Sequence, residues 1–92
     1  MREKIIEQKL IKEVRSRGGL CEKWMASTDG WPDRICIMPH GKIGFVEVKA
    51  PGKKPRPLQL HRHEQLRALG FQVYVLDQAG QIGGILDGIQ SA

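Results

Sequence analysis

The chain has 92 residues, which suffices for one domain with a single hydrophobic core over residues 1–92. Hydrophobic residues make up 40% of it and its net charge is +5, a balance that excludes a disordered chain and favours a polyanionic partner. It has no long apolar run and no signal-peptide pattern, so we expect a soluble, cytoplasmic protein that does not bind membranes.

The first predicted element is a helix over residues 2–17, which contains no glycine or proline and ends before Gly18. Its apolar stripe consists of Ile6, Leu10, Ile11 and Val14. Glu3 falls near the centre of this stripe and Glu7 falls beside it. An unpaired carboxylate is costly to bury, so both are candidate site residues. The alternative for Glu3 is a first-turn acid favoured by the helix dipole.

Two neighbouring strands are predicted at residues 34–38 and 42–49, joined as a hairpin through Gly41. Side chains alternate along a strand, so the second strand has two different faces. One face carries valines, and the other carries Phe45, Glu47 and Lys49. If the valines are buried, Glu47 and Lys49 point outward together.

The motif Gly30-Trp31-Pro32-Asp33 lies directly before the first of these strands. The hairpin brings Asp33 close to Glu47, and two carboxylates converging on one point suit Mg²⁺ or Mn²⁺. Such a cation polarises a phosphate and activates water, while Lys49 orients that water or offsets charge on the phosphate. The alternative is a plain turn at Asp33 and a solvated strand face at Glu47 and Lys49.

A basic, proline-rich segment follows Lys49 and contains Lys53, Lys54 and Arg56. These side chains lie where a phosphate backbone would pass to reach the metal, so they are candidate DNA-binding residues. A solvated loop without a ligand is the alternative. Cys21 and Cys36 lack the spacing of a zinc site or a disulfide framework and are predicted as buried strand residues.

A second helix is predicted from Pro57 to the stop at Gly70, followed by a strand over residues 71–76. The predicted register of this second helix rests on Leu58, His61, Gln65, Leu66 and Leu69. Gln59 lies in the first turn, where its amide could reach the site. His61 and His63 point to different helix faces and cannot chelate one metal together. The glycine-rich tail has helical spacing at its isoleucines but too many glycines for a stable isolated helix.

The order helix, three strands, helix, strand, with these residues, resembles the PD-(D/E)xK nuclease superfamily. Within it, the chain resembles the virus-type replication-repair nuclease (VRR-NUC) family in its minimal, single-domain form. The resemblance rests on a helix-one acid (Glu3 or Glu7), Gly30-Trp31-Pro32-Asp33, Glu47-Val48-Lys49 and Pro57-Leu58-Gln59. The resemblance implies an α/β fold with a restriction-endonuclease-like core. It also implies that Gln59 is a site residue and not merely an exposed amide on the surface.

The resemblance also implies a function. Asp33, Glu47 and the Val48 carbonyl would bind Mg²⁺ or Mn²⁺, a helix-one glutamate would assist, and Lys49 with Gln59 would position the attacking water. Family spacing favours Glu3, whereas the spacing of archaeal-type junction resolvases favours Glu7. We expect a phage or bacterial homodimer without a nucleotide cofactor. It would cut branched DNA, in repair or recombination, to 5′-phosphate and 3′-hydroxyl ends as a Holliday-junction resolvase does.

Two other classes of function remain open at the level of sequence. One is a flap-cutting, nicking or restriction-like nuclease with the same fold. The other is a DNA-binding module that has the fold but no catalytic activity.

Overall fold

The architecture is a four-stranded sheet with helices on both faces, and the computed structural model describes it for residues 2–92. The helices are α1 (Glu3–Ser16), α2 (Pro57–Ala68) and α3 (Ile82–Ser91). The strands are β1 (Leu20–Lys23), β2 (Arg34–Met38), β3 (Lys42–Val48) and β4 (Gln72–Leu76). The predicted α/β class and the order helix, three strands, helix, strand are therefore confirmed. The structure also contains a third helix, α3, which follows β4 and extends this predicted order.

The strands lie in the order β1-β2-β3-β4. The first three are antiparallel neighbours, and β4 pairs with β3 in parallel, so α2 forms the crossover between them. The hairpin between β2 and β3 turns at His40 and Gly41, whose φ angles are 67° and 72°. Its register pairs Arg34 with Val46, which brings the beginning of β2 to the end of β3.

One face of the sheet is covered by α1 and α3. Ile6, Leu10 and Val14 of the predicted stripe on α1 are fully buried against it, whereas Ile11 is only partly buried. The helix α3 forms despite its glycines because its four large apolar side chains join the same core. Two glycines allow this close packing, since a side chain at Gly44 would overlap Ile89 and a side chain at Gly88 would overlap Tyr74.

The other face is partly covered by α2, and here the structure corrects two expectations. Glu47 does not point outward to solvent: it is 1% exposed, because α2 packs over it. The buried face of α2 also differs from the predicted register. It consists of Gln59, His63 and Leu66, at positions i, i+4 and i+7, whereas Leu58 and Leu69 are exposed.

The two cysteines are buried in strands, as predicted. They lie opposite each other in the β1–β2 register as free thiols, with 3.9 Å between their Sγ atoms. No helix within residues 2–92 has the length and apolar character needed to cross a bilayer.

Candidate active site

Asp33 lies directly before β2 and is hydrogen-bonded to the end of β3. Its Oδ2 accepts a hydrogen bond of 2.9 Å from the backbone N–H of Val48. Its carbonyl accepts another, of 2.8 Å, from the N–H of Trp24. Asp33 is thus held from both sides at one end of the strands, beside the strand that carries Glu47.

The segment before Asp33 is held against α2. Gly30 has a φ of 87°, and a Cβ there would lie 2.9 Å from the carbonyl oxygen of Leu58. The indole N–H of Trp31 donates to the hydroxyl of Thr28 over 2.8 Å, and the guanidinium of Arg62 lies 5.2 Å from the ring centroid of Trp31. Trp31 therefore acts as a packing residue of the Asp33 segment.

Glu47 is the centre of the buried polar cluster. Its Oε2 accepts a hydrogen bond of 3.0 Å from Nε2 of Gln59 and lies 3.3 Å from Nζ of Lys49. The other end of the Gln59 amide accepts a hydrogen bond from the backbone N–H of Arg56, which fixes its orientation at the beginning of α2. The structure thus brings together Glu47, Lys49 and Gln59, three of the predicted site residues.

The electrostatics of this cluster favour a cation. Burial raises the pKa of Glu47 to about 7, and the charge of Asp33 acts in the same direction, whereas Lys49 opposes it. Glu47 is buried and Asp33 is half-buried, so a proton or a metal ion would relieve the repulsion between the two carboxylates.

The oxygen donors at this place suit Mg²⁺ or Mn²⁺, but they are too few to fill the coordination shell of either ion. Asp33, Glu47 and the Val48 carbonyl offer hard oxygen atoms, and the carboxylate oxygen Oε1 of Glu47 has no hydrogen-bond partner. Within residues 2–92, no three His, Cys, Asp or Glu side chains converge on one point. A cation held by two carboxylates would therefore be completed by backbone oxygen and water, which is usual for Mg²⁺.

The two helix-one acids line one cleft together with Asp33, where Trp24 and Met25 also lie. Glu7 is engaged there, since its Oε2 accepts a hydrogen bond of 2.9 Å from Nε of Arg34. Glu3 is exposed, and its carboxylate has no ion-pair partner within residues 2–92. Both predicted acids thus lie at the same cleft, but Glu7 is paired with Arg34, whereas the carboxylate of Glu3 has no ion-pair partner within residues 2–92.

The three predicted DNA-binding residues, Lys53, Lys54 and Arg56, are exposed on the segment between β3 and α2. This segment turns at Gly52, whose φ is 79°. None of the three takes part in an ion pair within the described part of the chain. Their charges are therefore available to a phosphate backbone beside the site.

Sequence reasoning missed two residues here, His63 and Arg34. His63 is fully buried, with Nε2 3.8 Å from Oε1 of Glu47. It was missed because the predicted register of α2 placed His61 on the core face. The signal that identifies it is its position one helical turn after Gln59. Arg34 follows Asp33 directly and is only 9% exposed.

No family model matches this chain. A curated phage protein, "Putative nuclease p44" of Acyrthosiphon pisum secondary endosymbiont phage 1, is 53% identical over 78 residues, which cover 84% of each chain. A solved structure described as a VRR_NUC domain superposes with a TM-score of 0.87 at 31% identity, over 95% of this chain and 97% of that one. Since both similarities extend over most of the sequence and of the fold, the chain belongs to the VRR-NUC family of nuclease domains.

Proposed function

We propose that this protein is an endonuclease that uses Mg²⁺ or Mn²⁺ to cut branched DNA, as a Holliday-junction resolvase does. The observation that carries the proposal is the buried Glu47 carboxylate, which has Lys49 and Gln59 on one oxygen and Asp33 nearby. A buried charged cluster of this kind contributes little to stability compared with apolar packing, so a catalytic role explains it better. The name of the phage relative supports the same reaction class.

Asp33, Glu47 and the carbonyl of Val48 are the residues that would hold the cation. When bound, it would polarise the scissile phosphate and lower the pKa of a bound water. The protein contributes the orientation of the carboxylates: Val48 fixes Asp33 through its N–H, and Gln59 fixes Glu47.

The remaining groups act on the DNA. The ammonium group of Lys49 stabilises negative charge on the phosphate as water attacks the phosphorus atom. The attacking water gives up a proton as its oxygen bonds to phosphorus. The bond from phosphorus to the 3′ oxygen breaks, that oxygen takes up a proton, and the ends are a 5′-phosphate and a 3′-hydroxyl. Glu3 contributes its carboxylate from the cleft, and Lys53, Lys54 and Arg56 hold the backbone without reading bases.

We further propose that the active form is a homodimer. One site cuts one strand, so paired cuts across a four-way junction require two sites related by symmetry. Four apolar, partly exposed side chains form a row across the end of the sheet that α2 does not cover: Leu20, Ile37, Ile43 and Phe71. This row offers a surface on which a second copy of the chain could pack. Ile37→Glu should yield a monomer in sedimentation, whereas an unchanged dimer would place the interface elsewhere.

The function is tested by cleavage of a labelled four-way junction beside linear duplex and flap substrates, in Mg²⁺, Mn²⁺ or EDTA. Paired cuts in the junction that need the metal and disappear in Asp33→Asn are the expected result. Preferred cleavage of the flap or the duplex would assign a different nuclease of the same fold. Binding of DNA without cleavage, unchanged in Lys49→Ala, would indicate a non-catalytic DNA-binding module that acts in the phage or bacterial host.

A further inference from the structure

His63 and Glu47 form an unusual pair in the interior of the domain. His63 is 0% exposed and Glu47 is 1% exposed. Both nitrogens of the imidazole lack a hydrogen-bond partner, and so does Oε1 of Glu47. The two unpartnered groups face each other, with 3.8 Å between Nε2 and Oε1. Buried polar atoms are almost always paired, so three unpaired atoms at one place indicate a specific role.

The second oxygen of Glu47 shows what this role involves. Oε2 is already contacted by Gln59 and Lys49. A donor at Oε1 would complete the set of contacts that fixes the plane of the carboxylate. His63 follows Gln59 by four residues on the same face of α2, so one rigid helix can supply donors to both oxygens.

The chemical state of His63 is compatible with donation. An imidazole ring carries an N–H on at least one of its nitrogens in both the neutral and the protonated form, so His63 can donate a hydrogen bond in either form. Because the side chain of His63 has no solvent exposure, it does not contact DNA or bulk water. The group on which it can act is therefore Glu47.

We propose that His63 is a positioning residue: its Nε2–H moves within hydrogen-bond distance of Oε1 of Glu47 and fixes the carboxylate in the orientation that receives the divalent cation. This role rests on the proposed function, since it concerns the same metal site. Outer-shell donors of this kind typically change metal affinity by about 10- to 100-fold.

The test uses a matched pair of variants, His63→Gln and His63→Met. The two side chains have the same length, but only glutamine carries a donor. Mn²⁺ affinity is measured by the electron paramagnetic resonance signal of free Mn²⁺, and junction cleavage is measured at saturating Mn²⁺. We expect His63→Met to weaken Mn²⁺ binding by roughly 10- to 100-fold and to lower kcat with an unchanged KM for DNA. We expect His63→Gln to stay within a few-fold of the parent.

Three results would overturn the role of His63. The first is Mn²⁺ affinity in His63→Met equal to that of the parent, and the second is an equal loss in both variants, which would indicate packing alone. The third is a directly coordinated imidazole nitrogen in the pulsed resonance spectrum of the Mn²⁺-loaded parent, which would make His63 a ligand. His63→Leu replaces His63→Met if the latter does not fold. A parent that binds no Mn²⁺ and cuts no DNA would instead refute the proposed function itself.

Discussion

Asp33 and Val48 are 15 residues apart in sequence, yet the backbone N–H of Val48 donates a hydrogen bond of 2.9 Å to the carboxylate of Asp33. This contact joins the two acidic motifs of the chain into one site. It also takes up one oxygen of Asp33, which leaves the other for a cation.

Asp33→Asn separates the charge of Asp33 from its structural contact. The amide oxygen of asparagine can still accept from Val48, so the fold should be retained, while the metal-binding charge is lost. We expect cleavage to fall by at least about 100-fold, because a direct ligand matters more than an outer-shell partner. Cleavage assays and thermal unfolding test this, with the exposed Asp29→Asn as the control of equal charge change. Full activity in Asp33→Asn would contradict a metal role for this residue.

The two helix-one acids should separate into different roles. Glu7→Gln leaves the nearly buried Arg34 without its ionic partner and should lower the free energy of unfolding by roughly 2 kcal/mol. Glu3→Gln removes an exposed carboxylate and should leave stability unchanged while slowing cleavage about tenfold or more. Denaturant unfolding and single-turnover cleavage of both variants distinguish the roles. A stable but inactive Glu7→Gln would assign the catalytic acid to Glu7 instead.

Glu47 should make the metal-free protein less stable at high pH. Its pKa is raised from 4.5 to about 7, so the folded state holds its proton more tightly than the unfolded state. The stabilisation from this proton is complete below pH 4.5 and is lost as the pH rises through about 7. The loss from this group amounts to roughly 3 kcal/mol.

Glu47→Gln isolates this effect, since glutamine has no charge to bury. In EDTA, we expect the variant to unfold at a higher temperature than the parent at pH 8, with the difference disappearing towards pH 4.5, and to be inactive. Thermal unfolding across this range measures the difference. A parent and a variant with parallel pH profiles would show that Glu47 does not titrate in this way.

Gly30 is expected to tolerate no side chain. Gly30→Ala combines a strained positive φ with overlap against the backbone of Leu58, so we expect a loss of about 3 kcal/mol. Gly70→Ala is the matched control, because Gly70 has a similar positive φ and nothing within 4 Å of the added carbon. It should lose only about 1 kcal/mol. Equal losses in denaturant unfolding would exclude the contact with Leu58 as a cause.

The basic segment should control DNA affinity and its salt dependence. Lys53→Gln with Lys54→Gln removes two charges beside the site, so we expect the slope of log affinity against log salt to fall by about 2. Mn²⁺ affinity should not change. Lys9→Gln with Lys12→Gln is the control, since these exposed lysines line a different cavity, together with Ala79 and Gly83. An equal effect of both pairs would indicate a general charge effect without a defined DNA path.

Much of the geometry of the candidate site can be predicted from sequence because it depends on local structure. Strand alternation places Glu47 and Lys49 on one face, and a tight hairpin brings Asp33 to the end of β3. The boundaries of α1 and α2 follow from proline and glycine positions within one or two residues. The burial of Glu47 could not be predicted, because it depends on how α2 packs over the sheet.

The sequence by itself determined the order of elements, and it predicted the acidic and basic residues of the candidate site and the type of metal that such residues suit. These follow from the local periods of helix and strand and from the chemistry of single side chains. Only the tertiary structure decided that His63 rather than His61 faces Glu47, that Arg34 engages Glu7, and that α3 docks through Gly44. Those outcomes depend on contacts between residues that are far apart in sequence. The local pattern leaves several faces of a helix or strand equivalent, and the choice among them is made by packing volume and by the pairing of buried polar groups.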